Sequence, residues 1–85
     1  MAKLRVTRVD GTVGDYPITP LIQYGFEVYA KKSYYQAFTQ EPKMSDIFWL
    51  AWESIRRSGE TVPMFGEKFV ETLTNVEVLD DDSPN

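Results

Sequence analysis

The sequence predicts a small α+β domain: an N-terminal β-hairpin packed on two main α-helices and a short third helix, followed by an acidic, flexible C-terminal tail. Three observations carry that expectation. Strand-forming residues flank an Asp-Gly pair near the N-terminus, two apolar stripes of helical period follow, and four of the last ten residues are acids with no base among them. The 85-residue length suits one domain, expected over residues 1–78 with the tail at 79–85.

Residues 4–18, LRVTRVDGTVGDYPI, read as the hairpin. Val6, Val9, Val13, Tyr16 and Ile18 favour strands, and Asp10-Gly11 is a strong two-residue turn signal. Gly14 and Pro17 weaken the second strand and suggest an edge or a bulge. Lys3 and Arg5 share one face by alternation, and Arg8 points to the other.

The first main helix opens at Thr19, a good N-cap, with Pro20 in the first helical position. Leu21, Ile22, Gly25, Phe26, Tyr29 and Ala30 draw its apolar stripe. Glycine at 25 suggests another backbone passing close by. The helix stops near Lys32 or continues to Phe38, and Ser33 suits the cap of a second short helix. Residues 39–43, with Pro42, form a linker.

The central helix, DIFWLAWESIRR at 46–57, is expected to be capped by Ser45, with Asp46 in its first turn and Arg56-Arg57 and Gly59 at its end. On a wheel of about 100° per residue, Ile47, Phe48, Leu50, Ala51, Trp52 and Ile55 form a broad apolar face. Trp49 falls about 200° from Ile47, inside the polar face beside Glu53 and Arg56. Two readings stand: Trp49 covers the hairpin or the third helix, or it is an exposed anchor for a partner. Tyr24, Val28, Tyr34 and Tyr35 also lie off the main stripe and raise the same choice. Residues 65–73, FGEKFVETL, give a short amphipathic third helix with Phe69, Val70 and Leu73 inward, and residues 75–85 an extended piece that frays.

Function classes narrow by chemistry. The chain has no cysteine and no histidine, which excludes disulfides, a thiol nucleophile, a histidine base and a structural zinc site. Net charge is −4, but removing the four tail acids from 13 leaves nine against nine Lys and Arg, a neutral body without a nucleic-acid footprint. No apolar run reaches signal-peptide or membrane-span length, so a soluble intracellular protein is expected. Glu67 and Glu71 lack a converging third group, and Asp80-Asp81-Asp82 lacks the glycine and glutamate of a calcium loop. No enzyme, cofactor or metal is expected.

Leu50-Ala51-Trp52, Arg56-Arg57, Gly59, and Phe65 with Phe69, in that order and followed by Val-Glu-Val and an acidic end, carry a resemblance. Over about residues 18–82 the chain is similar to the small tail assembly chaperones of long-tailed bacteriophages. The resemblance implies a host-cytoplasmic protein that coats the apolar, helix-rich tape measure protein, keeps it soluble and leaves before the virion is complete. It also implies a longer frameshifted form that recruits tail tube protein, of which this chain looks like the short form. The expected partner-binding residues are Trp49, Trp52, Phe48, Tyr24, Tyr34, Tyr35 and Arg56. Self-association through the same surface is compatible with this. The competing readings are a head–tail completion or connector protein retained in the virion and, ranked lower, an acidic mimic of nucleic acid.

Overall fold

A central strand with a partner on each side organises the chain. The computed structural model describes residues 2–80, so the expectation of a frayed tail falls mostly outside the described residues. The elements are β1 (Lys3–Arg8), β2 (Val13–Pro17), α1 (Pro20–Ala30), α2 (Tyr34–Thr39), α3 (Met44–Arg57), α4 (Glu67–Val70) and β3 (Leu73–Leu79). The fold is α+β: a three-stranded antiparallel sheet of order β2-β1-β3 with the helices packed behind it.

Alternation divides the sheet into two faces. Leu4 opposes Tyr16 on one side and Val78 on the other, and Val6 opposes Gly14 and Val76. Leu4 and Val6 are fully buried against the helices. Lys3 and Arg5 take the outer face, where both reach Asp15 on β2: Arg5 Nε donates to Oδ1 at 2.9 Å, and Lys3 Nζ lies 3.3 Å from Oδ2. The Arg5 hydrogen bond, with Lys3 beside it, pulls the Asp15 carboxyl down to about 2. Arg8 points to the other face, as alternation requires. Its Nη2 donates to Tyr16 Oη and to Glu60 Oε1, both at 3.0 Å, and Tyr16 Oη donates to Glu60 at 2.8 Å.

The turn differs from the expected two-residue form. Gly11 N donates to Arg8 O and Arg8 N to Thr12 O, which makes Val9-Asp10-Gly11 a three-residue loop. Asp10 Oδ1 accepts from Thr12 N and Oγ1 and so favours this local closure, and Gly11 takes the positive φ of 91° that the loop needs.

The extended C-terminal piece is a full third strand. It runs to Leu79, one residue past the expected domain end. Pairing with β1 also shortens the third helix from the expected 65–73 to Glu67–Val70. Thr72 N and Oγ1 donate to Phe69 O, which closes the helix, and Leu73 enters the strand opposite Arg8.

The helices end where the sequence punctuates them. Thr19 Oγ1 caps α1 through Ile22 N at 3.4 Å. Lys31 takes a left-handed C-cap, with φ 58°, that stops α1. Ser33 Oγ then accepts from Gln36 N and starts α2, which settles the open boundary after Lys32. α3 starts two residues earlier than expected: Lys43, not Ser45, holds the N-cap position, and no side chain caps it. Asp46 is buried and lies 2.7 Å from Lys32 Nζ, so its charge ties α3 to the end of α1. Gly59, at φ 101°, follows the last turn of α3.

α3 lies between the sheet and α1, contacting β2, β3 and α1. Leu50, Ala51 and Ile55 are fully buried with Phe26, Ile18 and Phe69 in the core.

Candidate partner-binding groove

That sandwiching decides where the aromatic side chains go. The face of α3 that reads as polar on a helical wheel is the one α1 covers. Trp49 is therefore 6% exposed, stacked on Tyr29 with ring centroids 4.7 Å apart and planes 10° from parallel, and set edge-on to Phe26 at 6.0 Å. It is a core residue and not an exposed anchor. Gly25 faces it: a Cβ there would meet the indole and Glu53 Oε2 at 3.7 Å, so side chains, not a passing backbone, approach the helix at this point.

The two helices do not close completely over each other. An open groove of about 580 Å³ runs between α1, α3 and the loop that follows α3. Leu21, Tyr24, Val28 and Tyr29 line it from α1, Trp49 and Trp52 from α3, and Met64 and Phe65 from the loop. Tyr24 is 67% exposed and Met64 84%. Leu21 and Tyr29, expected to face the core, are half-exposed on the groove wall, and Ile22 and Phe26 alone are the buried residues of α1.

The loop wall is held in place. Glu60 binds Arg8 and Tyr16, and Trp52 Nε1 donates to Pro63 O at 2.9 Å. Trp52 is thus only half-buried but fixed in orientation. Its ring lies 6.0 Å from Phe65 and 6.1 Å from Trp49, so Trp49, Phe65 and Tyr29 make an aromatic end to the groove and Trp52 stands between them and Arg56.

The other end is charged. Glu53, buried, accepts Arg56 Nη2 at 2.8 Å and Arg57 Nε at 2.8 Å. Arg56 also lies over the Trp52 ring at 5.1 Å, within cation–π range. One carboxylate thus orders two guanidiniums at the groove mouth.

Of the seven residues expected to bind a partner, the groove gathers Tyr24, Trp49, Trp52 and Arg56. It does not gather Phe48, Tyr34 or Tyr35. Tyr34 packs edge-on to Phe26 at 6.0 Å, Phe48 is half-buried against the core, and Tyr35 is exposed on α2 away from the groove. Sequence reasoning missed Leu21, Tyr29, Met64, Glu53 and Arg57 as members. The spacing of Leu21, Gly25 and Tyr29 at i, i+4 and i+8 was the available signal for one wall. Met64 sits in an aperiodic loop that gives none.

Among the described residues, no three His, Cys, Asp or Glu side chains cluster to hold a metal, and no helix is long and apolar enough to cross a membrane. Scans against protein-family models, curated proteins and solved structures each return no match to this chain. The groove's chemistry is apolar contact along a trough with a cationic end.

Proposed function

We propose that this chain is a tail assembly chaperone of the type found in long-tailed bacteriophages. It binds apolar helical segments of the tape measure protein, keeps them soluble and releases them as the tail tube assembles. It acts in the host cytoplasm by binding and not by catalysis. A longer form of the same chain would add the tail tube contact. The single observation that supports this reading best is the open apolar groove of about 580 Å³ beside an already filled core. A domain that needed these rings only for stability would bury them. Large exposed apolar surface marks a site for another molecule.

Coexpression with a tape measure fragment tests the reading. The fragment is expected to stay in the soluble fraction only when the chain is present. Tyr24→Asp with Val28→Asp, both at exposed groove positions, is expected to abolish that rescue while the far-ultraviolet spectrum stays native. Equal insolubility with and without the chain would sink the proposal. Mass spectrometry of purified virions is expected to find the chain missing; a stoichiometric presence would favour a retained completion protein instead.

A further inference from the structure

The groove is charged at one end only. Glu53, Arg56 and Arg57 sum to one positive charge there, and the opposite end is aromatic. Leu21 and Arg57 also border a neighbouring cleft with Thr19 and Ser58, so the N-terminus of α1 meets the C-terminus of α3 at this end. Their partial charges of about +0.5 and −0.5 offset each other, and the net positive charge stands. The two guanidiniums keep 47% and 43% side-chain exposure while the carboxylate that holds them keeps 4%. The Nη donors of Arg57 make no hydrogen bond among the described residues. They are fixed in place and face outward.

The groove walls are helix side chains and a pinned loop. No sheet edge lines them, so an extended peptide would lose water from its N–H and C=O groups without gaining partners. A helix satisfies its own backbone and presents only a side-chain ridge. A second copy related by a two-fold axis would set concavity against concavity, which leaves the trough unfilled.

We propose that the groove takes an amphipathic α-helix whose aliphatic ridge ends in an acidic residue, with that carboxylate seated on Arg56 and Arg57 and the ridge running toward Tyr29 and Trp49. This deepens the chaperone reading and rests on the groove being a partner site. The guest is thereby selected by the position of its charge and not by apolarity alone, and it enters in one direction.

The test uses the unmodified chain and two helical peptides of about 15 residues. They share an i, i+3, i+4, i+7 aliphatic ridge and differ only in Glu or Gln at its end. Both tryptophans line the groove, so intrinsic fluorescence reports occupancy directly. The Glu peptide is expected to bind roughly three- to fivefold more tightly at low salt, with the gap closing as salt rises. Arg57→Gln is expected to erase the preference. Affinities equal within about twofold at low salt would overturn the charge selection and leave the groove reading standing. If neither peptide binds at any concentration up to the millimolar range, the groove itself fails as a partner site, and the chaperone reading fails with it. A self-associated chain by sedimentation, with both peptides excluded, overturns the proposal in favour of a second copy as the occupant.

Discussion

Replacing Trp49 with alanine separates a core tryptophan from an exposed anchor. The indole is 6% exposed and touches Tyr29, Phe26 and Trp52. A tryptophan buries up to ~250 Å², worth a gross ~6 kcal/mol at ~25 cal/mol per Å². Aromatic-to-alanine changes in cores cost about 3–5 kcal/mol, which is consistent with that upper bound after relaxation. At roughly 0.05–0.15 kcal/mol per residue, an 85-residue domain has a total stability of about 4–13 kcal/mol. Trp49→Ala should therefore remove about a quarter or more of the folding free energy. With an m-value near ~1 kcal/mol/M for so small a domain, the urea midpoint should fall by roughly 3–5 M or the protein should be unfolded at the start. The assay is urea unfolding followed by circular dichroism. Tyr24→Ala, at a site 67% exposed, is the control and should stay within about 0.5 kcal/mol of wild type. A Trp49→Ala protein with a wild-type midpoint would refute the packing described for α1 on α3.

Gly25→Ala should stabilise the domain by about 0.4–1 kcal/mol and raise Tm by about 2–6 °C in calorimetry, because the new methyl finds ordinary contact distances at 3.7 Å and the unfolded chain loses freedom; a lower Tm would mean that the groove floor is tighter than described. Glu53→Gln should cost about 1–3 kcal/mol in urea unfolding, since it removes the acceptor charge shared by Arg56 and Arg57 inside the packed helix pair; an unchanged midpoint would place that carboxylate in water. Asp15 has a folded-state carboxyl near 2 against an ordinary value of 3.8, so its contribution is present above about pH 4 and is lost as pH falls from 4 toward 2. The stability difference between wild type and Asp15→Asn should shrink across that window, and a difference independent of pH would exclude the Arg5 pairing as its source.

How much of this was legible in the sequence follows from the range of each signal. Short-range chemistry read well: Thr19-Pro20, Ser33 and Gly59 punctuate the helices through contacts within a few residues. The hairpin's existence was clear from Asp10-Gly11, while its loop length depended on a side chain, Asp10, closing on Thr12. The third strand was seen as extended but not placed, because pairing with β1 joins residues some seventy positions apart and leaves no local mark. The helical wheel failed for Trp49 for a related reason. A wheel assumes one buried face, and α3 is buried on two, with Glu53 covered because two arginines four residues away or nearer satisfy it. The groove was half legible: Tyr24, Trp52 and Arg56 were singled out, but the loop wall with Met64 is set by the Arg8–Tyr16–Glu60 bonds across the fold.

Those cross-fold bonds bear on how tightly a groove of this kind can hold a guest. The trough is formed before any partner arrives, since Glu60 and Pro63 pin the loop and Glu53 pins the arginines, so little ordering cost falls on the chain at binding. The groove is also open and shallow in polar contacts, which limits what one copy gains. A Kd near ~1 μM with a typical kon of about 10⁶ M⁻¹s⁻¹ corresponds to dissociation about once per second. On the proposed reading that weakness is what the task requires. A long apolar partner stays covered because many copies rebind along it, and it is stripped without an energy source as soon as a competing surface takes each segment at the moment it is vacant. A single groove with nanomolar affinity would cover the same partner and then block the step that follows.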